Sequence, residues 1–280
     1  MDKLLIVDGS NLLFQMFYGM PARIVNDQGK AIQGTLGFIG VLLKIICMTL
    51  PTHVVVVFDG ECENERNTLD ENYKGNRPDY SQLPEEETPF SQLPDIYAAL
   101  DELGICHRET TNCEADDWIA GYAMRYGGEM DVVIASQDSD FFQLITERVS
   151  VLRYRGKNTL ICDPAFIREK LEIEPRQYAA FKSLTGDTAD NIRGADKIGP
   201  KTAALLMNNY GDLDTLLAKT GEIRKPSIRV SVEQNAARIR NNYRLIKLSG
   251  SAELPFELQE LFWIDQALST TQVLQRIGVK

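Results

Sequence analysis

The segment HVVVVFDG, residues 53–60, decides the fold class of this chain. It is apolar at every position from Val54 to Phe58, which is typical of a central strand covered on both faces in a parallel sheet. Outward from it, apolar runs alternate with segments of helical periodicity. The predicted strands are Leu4–Val7, His53–Phe58, a weaker Ile105–Arg108, Asp131–Ala135 and Val149–Arg153, and the predicted helices lie at about Gly34–Thr49, Pro89–Leu103 and Glu114–Tyr126. This alternation predicts an α/β fold with a mostly parallel central sheet flanked by helices.

Two parts of the chain depart from this alternation. Between residues 61 and 89 a polar, charged stretch has no apolar period, and such an irregular insertion is usually functional or mobile. From Pro164 onward the pattern is helical, and the last apolar residues are suited to packing a strand and a final helix on the body. We expect an α/β core at residues 1–163, a helical subdomain at 164–250 and a C-terminal tail at 251–280.

The composition excludes several classes of protein. The 280 residues are 44% hydrophobic without a run of 18 apolar residues, so no membrane span is predicted. The start, MDKLLIVDGSN, is typical of a strand and not of a signal peptide. Five scattered cysteines without a C-x-x-C spacing, together with two histidines, argue against a disulfide framework and a zinc site. We expect a soluble, cytoplasmic protein with no membrane partner.

Acidic residues stand where the predicted strands end. Asp8 and Asp59 directly follow their strands, and ligands of open parallel sheets bind beyond the carboxyl ends of the strands. The motif E-A-D-D begins a predicted helix, where negative charge is favoured, and places Glu114 and Asp117 on one face. Nine acids from five segments are therefore expected to converge, namely Asp8, Asp59, Glu114, Asp116, Asp117, Asp138, Asp140, Asp187 and Asp190.

A cluster of this size points to metal chemistry. So many like charges are unfavourable together without cations, and oxygen ligands without histidine or thiolate select Mg²⁺ or Mn²⁺. Two such ions, roughly 3.5–4 Å apart, can activate water and clamp a phosphate. Each acid taken alone has an ordinary explanation as a helix cap or a turn residue, as in GDTADN at residues 186–191. Their joint occurrence at the strand ends favours phosphodiester hydrolysis.

The charge distribution bears on nucleic-acid binding. A net charge of −10 argues against a nucleic-acid ligand, yet residues 224–247 contain seven basic residues and one acid. The stretch from Gly194 to Ala203 predicts a helix–hairpin–helix whose backbone N–H groups and Lys201 meet a phosphate. An ordinary helix–turn–helix and a solvated helix face remain alternative interpretations of these two segments.

Seven ordered segments resemble the bacterial and phage 5′-nuclease (flap endonuclease) family, which includes the N-terminal 5′-nuclease domain of bacterial DNA polymerase I. They are LLIVDGSNLLF, VVFDG, YKGNRP, EADD, ASQDSDFFQL, GDTADNI and GADKIGPKTA. The resemblance covers roughly residues 3–250, and no polymerase region follows, so we expect a free-standing member. It implies a PIN-like nuclease core, a helix–hairpin–helix subdomain and an arch formed by the irregular stretch.

The resemblance also implies roles for individual residues. The first metal site would be formed by Asp8, Asp59, Glu114 and Asp116. The second would be formed by Asp138, Asp140, Asp187 and Asp190, with Asp117 assisting either as a metal ligand or as an acid behind the ligands. The catalytic residues would be Asp8, Asp59, Asp116 and Asp138 together with Lys74 and Arg77, which stabilise the charge of the transition state.

For DNA, the resemblance implies that Tyr73 stacks on a base while Lys74 and Arg77 contact the phosphate. The hairpin would contact the downstream duplex and hold a K⁺ ion. The DNA-contacting residues expected there are Arg193, Gly194, Lys197, Gly199, Lys201 and Thr202. The expected arch carries three consecutive acids, Glu85–Glu87, where basic residues are common in the family.

We therefore expect a structure-specific 5′-nuclease that acts as a monomer on flapped, nicked or gapped DNA in replication and repair. One alternative is a catalytically weak DNA-structure-binding protein, which would be expected to lose several of the nine acids. Another is a PIN-type RNA nuclease, which would generally lack the predicted helix–hairpin–helix. An acid-rich metal-dependent phosphatase would have no use for the hairpin or the basic stretch.

Overall fold

A computed structural model describes residues 2–60, 65–76, 78 and 80–279. Within these ranges the central sheet has six strands in the order β3-β2-β1-β4-β5-β6, and only β6 runs antiparallel to its neighbour. The strands are β1 Lys3–Asp8, β2 His53–Phe58, β3 Cys106–Glu109, β4 Asp131–Ala135, β5 Val149–Arg153 and β6 Leu160–Cys162. The predicted mostly parallel sheet and its five strands are confirmed, while the short edge strand β6 was not predicted.

Side chains alternate between two buried faces of this sheet. In β1, Leu4 and Ile6 pack into one hydrophobic core, whereas Leu5 and Val7 pack into the other. All four side chains are fully buried, because β1 lies between β2 and β4 with helices on both sides. The result is a three-layer α/β/α arrangement.

Eleven α-helices occur in the described part of the chain. They are α1 Gly9–Gly19, α2 Gln33–Thr49, α3 Glu65–Leu69, α4 Leu93–Glu102, α5 Ala115–Tyr126, α6 Pro164–Leu171, α7 Tyr178–Thr185, α8 Pro200–Tyr210, α9 Leu213–Ala218, α10 Pro226–Ile246 and α11 Thr270–Arg276. Residues of α1, α2, α4 and α11 form the core on one face of the sheet, and residues of α5 to α10 form the core on the other. None of the helices in these ranges is both long and apolar enough to cross a membrane.

A two-stranded hairpin, β7 Gly186–Asp187 and β8 Ile192–Arg193, connects α7 to the loop before α8. Gly186 has a φ of +81°, and a Cβ atom at Gly194 would lie 2.3 Å from the backbone of Thr185. Both positions therefore need glycine for the backbone to pass so closely. The β7–β8 pair fixes the position of Asp187 and of the loop at residues 188–191 relative to the central sheet.

The segment before α4 is only partly regular. Its described residues form α3 and three short 3-10 turns, at Tyr80–Gln82, Glu85–Glu87 and Pro89–Gln92. The predicted helix at Pro89–Leu103 thus begins as a 3-10 turn. Gln92 anchors this turn, because its buried Oε1 accepts from the backbone N–H of Thr35 at 2.8 Å.

The tail returns to the sheet. The Trp263 indole donates to the Leu103 carbonyl at 3.0 Å, and its backbone N–H donates to Thr52 at 2.9 Å. The strand expected here is reduced to one isolated bridge between His53 and Phe262. The final helix, α11, packs against α2 and α4.

Candidate metal and nucleic-acid site

An open cavity of about 550 Å³ lies at the carboxyl ends of the strands. It opens there because β1 ends at Asp8, β2 ends next to Asp59, and the loop after β4 carries Asp138. The charged side of the lining consists of Asp8, Asp59, Glu114, Asp116, Asp138 and Lys74. The aromatic side consists of Phe14, Tyr80 and Phe90, whose rings pack edge to face.

Asp8 joins three elements at the base of the cavity. Its carboxylate accepts from the Asn11 backbone N–H at 3.0 Å, which caps α1, and from the Ser136 hydroxyl at 2.7 Å. Burial, reinforced by the nearby charge of Asp59, raises the pKa of Asp8 to about 7. Asp59 in turn accepts from the Ala115 backbone N–H at 2.9 Å, which fixes the start of α5. A strand-end acid here serves as a helix cap and also lines the site.

Glu114 is buried at the start of α5 and is surrounded by donors. Lys74 Nζ donates to its Oε1 at 2.6 Å, the Tyr73 hydroxyl lies 3.3 Å from Oε2, and the Arg66 guanidinium is in direct contact. Burial and the charge of Asp138 raise the pKa of the neighbouring Asp116, whereas Lys74 lowers it. Lys74 thus offsets part of the acidic charge at this end of the cavity.

Arg66, in α3, was not predicted as a site residue. Both oxygens of Asp117 accept from its guanidinium, at 2.7 and 3.1 Å, and its Nε donates to the Leu245 carbonyl at 3.1 Å. The prediction that Glu114 and Asp117 share a face is confirmed by this common partner. Asp117 therefore influences the site indirectly, because it binds Arg66, which contacts Glu114. No sequence pattern indicated Arg66, because it lies in a short helix within an irregular stretch.

A second acidic group adjoins the first. One carboxylate oxygen from each of Asp140, Asp187 and Asp190 lies within 4.8 Å of the others. No donor among the described residues hydrogen-bonds the buried Oδ1 of Asp140. Burial and the charge of Asp138 raise the pKa of Asp140 to about 8. An all-oxygen set with a buried acceptor that receives no hydrogen bond from the described part of the chain suits a hard divalent cation.

Asp138 lies between the two groups. It lines the cavity, and its Oδ1 accepts from the Asp140 backbone N–H at 2.8 Å. Lys182, near the end of α7, was not predicted to be here. Its ammonium contacts Asp187 and lies 3.7 Å from Asp140. A lysine on a helix is usually solvent-exposed, so the sequence held no signal for this position.

Tyr73 and Lys74 of the YKGNR segment have different surroundings. Tyr73 is 7% exposed and packs with Ile192 and Leu245, so its ring does not offer a face to a base in this arrangement. Lys74 lines the cavity, as a phosphate contact requires. Arg77 lies outside the described residues.

The hairpin surface, which is the predicted DNA-contacting surface of the helix–hairpin–helix at residues 193–202, is largely exposed. Gly199 caps α8 with open space around it, and Lys201 in the first turn is exposed. Lys197 and Arg193 are exposed as well, and Thr202 is half-buried. Gly194 packs directly against the backbone of Thr185, which leaves no room for a side chain.

Asp196 links this surface to α10. Arg193 binds its carboxylate at 2.9 Å, and Arg238 lies 3.8 Å away. Beyond Arg238, α10 continues with Arg240 and Arg244, both exposed. Basic side chains therefore extend along α10 from the hairpin.

Comparison with known proteins gives consistent results along the whole chain. Residues 3–172 match the 5′-3′ exonuclease N-terminal resolvase-like domain, and residues 173–267 match the 5′-3′ exonuclease C-terminal SAM fold. The 5′-3′ exonuclease of Bacillus subtilis (strain 168) is 31% identical over 284 residues, which cover 100% of this chain and 94% of that protein. DNA polymerase I of Rhizobium leguminosarum is 35% identical over 269 residues, covering 93% of this chain. The chain spans only 26% of that polymerase.

Solved structures share the fold. The bacteriophage T5 D15 protein co-crystallised with metal ions aligns with a TM-score of 0.71 at 22% identity, over 87% of this chain and 89% of that one. The catalytic core of Rad2 in complex with DNA substrate aligns with a TM-score of 0.62 at 14% identity, over 99% of this chain and 92% of that one.

Proposed function

The chain belongs to the 5′-3′ exonuclease family, and from that premise we propose that it is a structure-specific 5′-nuclease. Its substrates are DNA flaps, nicks and gaps, and it hydrolyses a phosphodiester near a 5′ end. One observation supports the proposal most directly: five acidic side chains line a cavity together with Lys74, and a cluster of three further acids adjoins them. The phosphate of a nucleic acid can supply further oxygen ligands to such a metal centre.

The donor set fits two Mg²⁺ or Mn²⁺ ions. Asp8, Asp59, Glu114 and Asp116 would hold one, and Asp138, Asp140, Asp187 and Asp190 the other. The Oδ1 of Asp140, which receives no hydrogen bond from the described residues, and the raised pKa of Asp8 both indicate carboxylates that need a cation. When bound, such ions supply a nucleophilic water and neutralise charge on the phosphate. Asp117 assists by holding Arg66 against Glu114.

Lys74 supplies a fixed positive charge from the protein itself. Its ammonium lies 2.6 Å from Glu114, within the same lining as the other carboxylates. In that position it can contact a phosphate oxygen that faces the metals and stabilise the charge that develops there. We assign Arg77 the same task on the basis of its place in the YKGNR motif.

The hairpin and α10 form the proposed contact with duplex DNA. Gly199 and Lys201 present a helix N-terminus and an ammonium to a backbone phosphate, and this contact is independent of base sequence. A K⁺ ion held by the hairpin carbonyls would add to the same contact. We propose that the chain acts on DNA as a monomer.

The test is cleavage of a 5′-flap DNA labelled at the flap and at the opposite end, with Mg²⁺, with Mn²⁺ and with EDTA. We expect metal-dependent release of the flap close to the single-strand junction and no release by Asp138→Ala. Blunt duplex and a matching RNA flap are the substrate controls. Tight binding of the DNA flap without cleavage under either metal would overturn the nuclease proposal, and preferential cleavage of the RNA flap would overturn the substrate class.

A further inference from the structure

The turn that carries Lys74 has an unusual backbone. Lys74 has a φ of +56°, which L-residues other than asparagine, aspartate and glycine rarely adopt. The turn forms from Asp70 to Asn76, with Tyr73 donating to the Asp70 carbonyl at 3.0 Å and Gly75 donating to Asn72 at 3.0 Å. Strained backbone of this kind persists only where surrounding contacts hold it.

Those contacts come from the loop between β7 and β8. The Lys74 backbone N–H donates to the Asp190 carbonyl at 3.0 Å. The Asn191 side-chain amide donates to the Asn72 carbonyl at 2.9 Å, and the Asn76 amide donates to the Thr188 carbonyl at 2.9 Å. Three hydrogen bonds therefore join the Lys74 turn to the loop that also carries Asp190.

Asn191 is suited to this position in two independent ways. Its own φ is +59°, a conformation that asparagine tolerates better than most residues. Its side chain also supplies the N–H donor that reaches Asn72. Glycine would satisfy the backbone requirement and lack the donor, so the two contributions can be separated by mutation.

We propose that Asn191 is a positioning residue that sets Lys74 in its place beside Glu114. The inference rests on the proposed nuclease function. The β7–β8 loop leads through Arg193 into the hairpin surface, so the same hydrogen bonds join the duplex-contacting subdomain to a cationic side chain in the cavity. Asn76 acts in the same way from the Lys74 turn, because its side-chain amide donates to the Thr188 carbonyl of the β7–β8 loop.

The role predicts a specific kinetic signature. A displaced Lys74 ammonium lowers the rate of the chemical step, because misplacement of a catalytic group by about 1 Å can cost about 100-fold. Asn191→Gly should therefore reduce kcat on a 5′-flap by about 10- to 100-fold, with a change in KM of no more than about threefold. In a Lys74→Ala background the same substitution should change kcat less than about twofold, because its effect passes through Lys74.

The experiment is this double-mutant cycle at saturating Mg²⁺, with kcat and KM from steady-state cleavage and the rate of the chemical step from single-turnover cleavage. Mn²⁺ binding to Asn191→Gly is followed by calorimetry, and unchanged binding is expected because this substitution removes neither a carboxylate nor a lysine. Glu172→Gly is the matched control: Glu172 has a φ of +57°, is exposed and caps α6. It should keep wild-type kcat.

Four outcomes would overturn the inference. Wild-type kcat in Asn191→Gly would remove the role altogether. Independent, multiplying effects in the cycle would show that Asn191 does not act through Lys74. Loss of Mn²⁺ binding would place its effect on Asp190 instead. A wild-type protein that cleaves no flap would overturn the proposed function and this inference with it, which separates the two failures.

Discussion

Asp8 and Asp140 are carboxylates whose pKa values burial raises, to about 7 and about 8. Because the folded protein binds these protons more tightly than the unfolded chain does, the protonated carboxyls favour the folded state. That contribution is complete below the unfolded pKa near 3.8 and is lost as pH rises through about 7 and then about 8. Without metal, the free energy of unfolding should therefore fall between pH 5 and pH 8.5.

The first prediction follows from Asp8. Asp8→Asn removes the buried charge, so at pH 8.5 in EDTA it should raise the free energy of unfolding by about 1–3 kcal/mol. The gain is smaller than the pKa shift alone implies, because the charged cap on α1 is weakened. Urea unfolding at pH 5 and pH 8.5 measures it, and the gain should shrink at pH 5. Equal effects at both pH values would contradict the argument.

Lys182 leads to the second prediction. Its ammonium contacts Asp187 and lies 3.7 Å from Asp140, so it shares these oxygens with any bound divalent ion. Lys182→Met keeps an unbranched side chain of similar length without the ammonium and should tighten the weaker Mn²⁺ binding step by about tenfold. Calorimetry on the metal-free protein measures this, with the exposed Lys44→Met as control. Unchanged affinity would mean that Lys182 swings aside without cost.

At the scale of elements, α3 connects parts of the molecule that lie far apart in sequence. Through Arg66 it contacts Glu114 and Asp117 of the α5 start and the Leu245 carbonyl near the end of α10. All of these groups are largely buried. One guanidinium therefore joins the acidic centre to the helical subdomain.

The third prediction concerns that junction. Arg66→Met leaves the largely buried carboxylate of Asp117 without its cation and leaves Glu114 with Lys74 alone, so it should lower the free energy of unfolding by about 3–5 kcal/mol. Adding Asp117→Asn should recover part of the loss, since one uncompensated charge is then removed. Urea unfolding of the metal-free variants at pH 8 tests both statements. A loss below about 1 kcal/mol would show that the pair contributes little.

What the sequence could predict depended on the length of each element. Strands β2, β4 and β5 have the predicted bounds because each is five or six residues long, which is enough for their apolar residues to show a pattern. Helix α1 was missed because Gly9 and Ser10 follow Asp8 like a turn. Strands β7 and β8 have two residues each, too few to show a period.

The same limit applies to the site. The strand-end acids were predicted because parallel strands end at one edge of a sheet, and the structure brings five of the nine acids into one cavity lining and three into the adjoining group. Arg66 and Lys182 reach the acids through tertiary contacts, for which a single sequence has no local signal. The burial of Tyr73 likewise depends on Ile192 and Leu245, which are distant in sequence.

Across the whole molecule, the net charge of −10 hides a separation of charge. Acids occupy the cavity, while exposed basic residues continue from Lys201 at the hairpin along α10 to Arg244. A DNA duplex on this basic surface contacts cations locally, whereas the negative charge of the rest of the protein repels its phosphates. DNA affinity should therefore fall with salt in proportion to the number of phosphates that these cations contact, since each contact releases counterions.

Lys201 provides the last prediction. If its ammonium contacts one backbone phosphate, Lys201→Ala should weaken duplex binding to the same extent for every base sequence and reduce the slope of log affinity against log salt by about 0.9. Anisotropy titrations of three unrelated duplexes between 50 and 200 mM KCl, with Asp138→Ala in the background to prevent cleavage, measure both quantities. Lys44→Ala, on the exposed side of α2, should leave slope and affinity unchanged. A loss confined to one duplex would mean that Lys201 contacts bases, and an unchanged slope would place the duplex elsewhere on the protein.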